Sequence, residues 1–248
     1  MQFTVLGSNS SGNCYLLHND LEALIIEAGI NFNQVKQALN FDISKVKGCL
    51  VTHEHLDHSG FMLNIASAGI PIYSSLFTFQ SSKTQHHNYN PVSHRVKFDV
   101  GRFSVMPLRV EHDASEPFCY VISHPEIGTM LFMTDTFTSR YRFDNTSFNH
   151  VVIEANYSHE IVNKNIAAGA SLSLRNRILF SHMEFATTIS LLRSYVSKTT
   201  QNVVLIHLSD SNSNAFLFKE KAQSVCKPPT KVSIASPGLT LPFNITPF

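Results

Sequence analysis

The stretch Val51-Thr52-His53-Glu54-His55-Leu56-Asp57-His58-Ser59-Gly60 constrains this chain more than any other. It follows the apolar run Gly48–Val51, which reads as a buried strand, and precedes Ser59–Ala68, whose apolar residues recur at helical spacing. Its metal-competent side chains therefore sit on a strand-to-helix loop. His53 and His55 are two residues apart, so an extended backbone points both imidazoles to one side, where they can share a cation. Asp57 and His58 fall where the chain turns into the helix and can serve a second ion close to the first. The helical zinc pattern with two histidines four apart does not apply, because the residue four after His53 is Asp57. The bland alternative is a His-rich surface turn that binds nothing.

Histidine is in excess along the whole chain: 13 His stand beside 19 Lys+Arg and 18 Asp+Glu in 248 residues. The formal net charge of +1 supplies no global polycation, so any anionic partner must be bound locally. The length suits one large layered domain spanning residues 1–248. Cys14, Cys49, Cys119 and Cys226 form no C-x-x-C pair, which argues against a zinc knuckle or a redox dithiol and for buried thiols in a reducing cytoplasm. No apolar run approaches the roughly 18 residues of a membrane span, and the first residues lack a signal-peptide pattern. The expectation is a soluble, cytoplasmic protein with no membrane partner. No internal repeat is evident.

Short apolar runs bounded by Gly, Pro, Asn or Asp predict strands at Gln2–Leu6, Cys14–Leu17, Leu24–Ile26, Gly48–Val51, Ile70–Tyr73, Phe103–Val110, Phe118–Ile122, Met130–Met133, Val151–Glu154, Val203–Ile206 and Lys231–Ala235. Helical spacing predicts helices at Asn31–Leu39, Ser59–Ala68, Ser158–Ala168, Ser171–Leu179, Glu184–Val196 and Asn212–Val225. Ser81–Lys97 is polar and reads as an exposed loop or insertion. The pattern suggests two sheets covered by helices, a layered α/β arrangement.

The order His-x-His-x-Asp-His resembles the signature of the metallo-β-lactamase superfamily of two-metal hydrolases, and the resemblance continues along the chain. It implies a four-layer αββα sandwich. His112 in Val110-Glu111-His112-Asp113-Ala114, Asp135 in Phe132-Met133-Thr134-Asp135-Thr136, and His207 in Leu205-Ile206-His207-Leu208-Ser209 stand where that family places its remaining ligands. Carried over, the pattern gives His53, His55 and His112 to one metal and Asp57, His58 and His207 to the other, with Asp135 bridging. Two divalent ions follow, Zn(II) first, with Mn(II) or Fe(II) as alternatives. The segment Ile25-Ile26-Glu27-Ala28-Gly29 departs from the family, which usually carries Asp where Glu27 stands to orient a metal ligand. The longer side chain must fold back, and altered metal preference becomes an expectation.

Leu6-Gly7-Ser8-Asn9-Ser10-Ser11-Gly12-Asn13-Cys14, Ile153-Glu154-Ala155-Asn156-Tyr157, Ser181-His182-Met183 and His207-Leu208-Ser209-Asp210-Ser211-Asn212 make the resemblance closest to the YycJ/WalJ-type group, which is associated with nuclease activity on DNA. The implied reaction is 5′-to-3′ exodeoxyribonuclease-like hydrolysis by a metal-bridging hydroxide, with Asp57 and His182 as catalytic residues. His182 either donates to the leaving group or caps the helix Glu184–Val196. Ser10, Ser11 and Asn13 either cradle phosphate or form a hairpin loop, and Asn156 and Tyr157 line the cleft on family position. Phe137, Arg140, Tyr141 and Arg142 combine stacking with phosphate attraction or form an ordinary solvated loop. His18, His86, His87, His94, His124, His150 and His159 match no ligand position and read as surface or loop residues. Two other functions stay open: hydrolysis of a small ester, thioester or cyclic phosphate on the same site, and a metal-binding interaction protein.

Overall fold

A computed structural model describes residues 1–144, 146–170 and 179–246. Among the described residues the chain forms fourteen strands in two seven-stranded sheets. The first sheet contains β1 (Gln2–Asn9), β2 (Gly12–His18), β3 (Ala23–Ile26), β4 (Val46–Leu50), β5 (Ile72–Ser74) and β6 (Tyr89–Pro91), with β14 (Thr240–Pro242) against β1. The second contains β7 (Phe98–Val100), β8 (Phe103–Arg109), β9 (Phe118–His124), β10 (Gly128–Met133), β11 (His150–Glu154), β12 (Asn202–Ile206) and β13 (Lys231–Ile234), in that order.

The two sheets share one plan. In the first, β14, β1, β2 and β3 pair antiparallel, and β3 to β6 pair parallel. In the second, β7 to β10 are antiparallel and β10 to β13 parallel. The duplication lies in strand pairing, which depends on register and direction; periodicity and composition show no repeat.

Alternation places the core in three layers. Phe3, Tyr15, Leu24, Ile26, Phe118, Tyr120, Phe132, Val152 and Ile206 pack between the sheets. Their strand neighbours Leu16, Ile25, Cys49 and Val51 face outward, under the helices α1 (Phe32–Ala38) and α3 (Met62–Ser67). Leu131, Met133, Val151, Ile153, Val203 and Leu205 do the same beneath α6 (Phe185–Tyr195) and α7 (Ala215–Val225). Strands such as β3 and β12 are buried on both faces, hence their continuous apolar runs. This is the αββα sandwich that the resemblance implies.

Several elements differ from the sequence reading. The helix read at Ser59–Ala68 is two short helices, α2 (Leu56–Ser59) and α3, parted at Gly60-Phe61. The polar segment Ser81–Lys97 includes the end of helix α4 (Leu76–Ser81) and the edge strand β6, which is too short to show alternation. The three-residue strands β7 and β14 also escape periodicity. The helix read at Ser171–Leu179 falls almost wholly on 171–178, outside the described residues, and α5 (His159–Ala167) precedes that stretch.

Two histidines read as surface residues are buried instead. His124 Nε2 meets Glu22 Oε1 at 3.0 Å beneath Phe103. His150 stacks on Phe243 with centroids 3.9 Å apart; its Nδ1 accepts from Asn202 and its Nε2 donates to the Asn244 carbonyl. Satisfied ring nitrogens make such burial tolerable. Burial pushes the His150 imidazole down to about 3. Its folded value lies below the unfolded one of about 6.5, so the neutral ring stabilises the fold above that pH and the contribution fades as pH falls toward 3. Between pH 7 and pH 5 the loss is about 2 kcal/mol. Denaturant midpoints for wild type and His150→Gln measured at both pH values should show the variant less acid-sensitive by that amount; equal sensitivity would refute the assignment.

Candidate metal centre

The site forms where parallel strands of both sheets end, the edge at which open α/β sheets present their ligand-binding loops. Glu27 follows β3, His53 and His55 follow β4, Asp135 follows β10, Glu154 ends β11 and His207 follows β12. Glu27, Asp135 and His207 each have left-handed backbone, with φ of 68°, 44° and 54°. Non-glycine residues adopt that region at a cost, and such strain concentrates at functional sites. Here it turns each side chain back over the strand ends.

Asp135 is the hub. Its Oδ2 lies 3.9 Å from His53 Nε2, 3.3 Å from His58 Nε2, 3.7 Å from His112 Nε2 and 3.8 Å from His182 Nδ1, while Oδ1 lies 3.2 Å from His207 Nδ1. His112 Nε2 is also 3.2 Å from His55 Nδ1. Asp57 Oδ2 stands 3.4 Å from His58 Nε2 and 3.5 Å from His207 Nε2. Donor atoms of His53, His55 and His112 converge, as do those of Asp57, His58, Asp135 and His207, each set within 4.8 Å.

These residues fit divalent cations. His53 Nε2 and His207 Nε2 are buried without a hydrogen-bond partner, and an orphaned buried nitrogen is costly unless something else occupies its lone pair. Ligands sharing a cation at 2.0–2.2 Å stand about 3.0–3.6 Å apart, close to most of the separations above. Imidazole and carboxylate are the donors expected for such an ion.

Electrostatics bind the set together. Burial alone would raise the Asp135 carboxyl, but His207 and His58 hold it well below the usual range. Burial opposes charge on His207 as well, yet Asp135, Asp57 and Glu154 push it up to about 10. His58 is raised against its burial by Asp135 and Glu27, whereas burial and the neighbouring His58 drive His53 well down.

Supports surround these donors. Thr52 Oγ1 pairs with His53 Nδ1 at 2.9 Å, and His112 Nδ1 donates to the Ser181 carbonyl at 2.6 Å. Glu27, fully buried, accepts from Thr52 N at 3.3 Å, and the same oxygen lies 3.5 Å from His58 Nδ1. Its longer side chain thus still reaches a candidate ligand. Glu54 accepts from the Ser115 backbone and hydroxyl at 2.7 Å, tying the histidine loop to the segment that carries His112. A side chain at Gly29 would put its Cβ 1.7 Å from the Asp57 carbonyl, so only glycine permits this close approach.

A cavity of about 390 Å³ opens over the cluster, lined by Ser10, His55, Leu56, Asp57, His112, Asp113, Asp135, Ser181, His182 and His207. Ser10 thus reaches it. Ser11 is exposed at the hairpin tip and lies outside the lining. Asn13 and Asn156, read as substrate contacts, are buried behind the donors instead. Asn13 Nδ2 is 3.1 Å from His58 Nε2, and Asn156 Nδ2 donates to the His207 carbonyl at 2.8 Å. Tyr157 is buried too, so it does not form cleft wall.

His182 does not cap the following helix: the Glu184 side chain accepts from Ala186 N and Thr187 N and fills that role. His182 instead donates from Nδ1 to Glu154 Oε1 at 2.8 Å. Glu154 had no role in the sequence reading. It is fully buried, Oε1 also lies 3.2 Å from His207 Nδ1, and Oε2 accepts from Thr136 N and Met183 N. The available signal was a carboxylate ending the otherwise apolar strand His150–Glu154.

Comparison with known proteins agrees with this geometry. The family model described as metallo-beta-lactamase superfamily matches residues 7–73. A Bacillus anthracis protein named exodeoxyribonuclease YycJ is 28% identical over 240 residues, covering 91% of this chain and 89% of its own. A Streptococcus pneumoniae protein named exodeoxyribonuclease WalJ is 25% identical over 226 residues, covering 85% and 82%. The crystal structure of the metallo-beta-lactamase fold protein YhfI from Bacillus subtilis superposes with a TM-score of 0.72 at 15% identity, covering 97% of this chain and 99% of that one. No helix among the described residues is long and apolar enough to cross a membrane. Over residues 7–73 the chain is similar to the metallo-beta-lactamase superfamily, and over most of its length it is similar to proteins of the YycJ/WalJ type.

Proposed function

We propose that the ester this metal-dependent hydrolase cleaves is the phosphodiester of DNA, taken from a 5′ end. The observation that carries the reading is Asp135, one carboxylate set among five imidazole nitrogens at a cavity floor. The choice of DNA is supported by the exodeoxyribonuclease names of the two relatives.

His53, His55 and His112 would hold one cation, Asp57, His58 and His207 the other, and Asp135 both. Zn(II) suits these donors best, and Mn(II) is accepted by the same set. Bound cations supply Lewis acidity at the phosphoryl oxygen and make water a competent nucleophile at neutral pH. The chain's own residues complete the chemistry. Asp57, half-buried at the cavity wall and held well below the usual carboxylate range by His207 and His58 against its burial, orients the attacking water. His182 is held as the charged form by Glu154 and Asp135 against its burial. With Nδ1 engaged by Glu154, its other nitrogen donates to the leaving oxygen. Ser10 contacts the phosphate, and Asn13 and Asn156 position His58 and His207 from behind.

The test is hydrolysis of 5′-phosphorylated DNA, RNA, small phosphodiesters and thioesters by protein reconstituted with Zn or Mn. Degradation of DNA from the 5′ end is expected. Turnover of a thioester with no cleavage of nucleic acid would overturn the reading. Glu27→Gln, which replaces the charged partner of His58 Nδ1 with a neutral amide, should weaken metal affinity about 10–100-fold. Competition against a chromophoric chelator measures this, and unchanged affinity would show that Glu27 does not orient His58.

A further inference from the structure

Outside the metal cavity, the most strongly built feature is an arginine-lined groove leading away from it. Two loops leave the centre side by side, one running outward from His112 toward Arg109 and the other from Asp135 through Thr136 to Phe143. They are laced together: Phe137 N donates to the Glu111 carbonyl at 3.3 Å, Glu111 N to Thr136 Oγ1 at 3.3 Å, and Tyr141 Oη to the Arg109 carbonyl at 2.7 Å. Tyr195 Oη anchors the outer loop from below by donating to the Tyr141 carbonyl at 3.1 Å.

The loops frame two joined cavities, of about 280 Å³ and about 780 Å³, that share Ser139, Arg140 and Tyr141. Arg95 and Arg109 line the first and Arg142 the second. Arg109 and Arg140 are engaged by Glu116 and Glu111. The guanidiniums of Arg95 and Arg142 are exposed and have no ion pair among the described residues. Beyond Arg109, half-exposed Phe77 borders a further recess on the same side. Glu111 and Asp144 also line these cavities, so in a chain of net charge +1 the attraction available to a polyanion here rests on Arg95 and Arg142.

We infer that this groove holds the single strand of DNA that continues beyond the scissile phosphate. The inference rests on the nuclease reading and deepens it. Arg140 follows Asp135 by five residues and Arg142 by seven, so their Cα atoms lie within about 17 Å and about 24 Å of the hub. A strand whose end sits at the metals can therefore reach the arginines within its first few nucleotides. Cations along a groove, with aromatic faces such as Tyr141 beside them, are how proteins grip a single strand without reading its sequence.

The experiment is fluorescence anisotropy with 5′-phosphorylated, cleavage-resistant phosphorothioate oligonucleotides of about 4 and about 12 nucleotides, titrated over a salt series. The proteins are wild type, the double variant Arg95→Gln/Arg142→Gln, and Lys36→Gln on the remote helix α1 as control. The double variant should bind the longer oligonucleotide about tenfold more weakly, with a log–log salt slope shallower by about 1.4, while Lys36→Gln matches wild type. If the double variant binds the longer strand with wild-type affinity and slope, the groove is not the strand path, although the nuclease reading stands. If wild type binds neither oligonucleotide, the nuclease reading itself fails.

Discussion

Asp135→Ala should reduce hydrolysis at least about 10³-fold and leave the purified protein without its full complement of metal. The carboxylate's Oδ2 lies within 3.9 Å of His53 and His112 from one donor set and of His58 from the other, and the carboxylate is the first of the counter-charges that raise His58 and His207. Without it, His53 and His112 lose the carboxylate that faces them, and His58 and His207 keep only Asp57 between them. Backbone preference must be separated from this effect, because Asp135 has φ of 44° and alanine resists that region more than asparagine does. Asp135→Asn keeps the turn and removes the charge. Metal content measured by mass spectrometry, together with turnover of 5′-phosphorylated DNA, decides the matter. If Asp135→Asn retained both ions and came within tenfold of wild-type turnover, Asp135 would not be the shared ligand.

Glu154→Gln should lower kcat by about 10²–10⁴-fold, the range that a positioned general acid contributes, with a small change in KM. Glu154 Oε1 faces ring nitrogens of both His182 and His207, while Oε2 faces two backbone amides. A glutamine cannot satisfy all four. Whichever way its amide turns, an N–H meets another N–H: with NH2 toward the histidines His182 loses its acceptor, with NH2 toward Thr136 N and Met183 N the anchor is lost, and in both cases the negative charge beside His182 is gone. Steady-state kinetics alongside metal analysis distinguishes this defect from that of Asp135. A loss of metal equal to that in Asp135→Ala would make Glu154 a ligand, and an unchanged kcat would remove His182 from the chemistry.

The layered α/β arrangement and the cluster His53, His55, Asp57 and His58 were legible in short-range pattern, whereas His112, Asp135 and His207 were picked out by resemblance to a known family. Buried strands such as Ile153's and Leu205's announce themselves as apolar runs, and the ligand candidates stand directly after them in order. What escaped was whatever depends on partners distant in sequence. Glu154 has no local motif, since its importance comes from His182 and His207, 28 and 53 residues away. Asn13 was read as a cleft residue from its place in the small-residue loop Gly7–Asn13 and Asn156 from family position, yet both are buried beside His58 and His207. His124 and His150 are buried because Glu22, Asn202 and Asn244 happen to meet them in space. The edge strands β6, β7 and β14 are too short to carry a period.

The duplicated strand plan has a thermodynamic corollary. His53, His55, Asp57 and His58 belong to the first sheet, and His112, Asp135 and His207 to the second, so neither half of the molecule has a complete donor set. A cation held by both halves would act as a rivet across the seam, and its binding free energy would add to the cohesion of the sandwich, by about 2.7 kcal/mol when free metal stands at 100 times its dissociation constant. The coupling also runs in reverse: loosening the apolar layer at Phe132 or Tyr15, well below the surface, would reach the active centre as a faster loss of its ions.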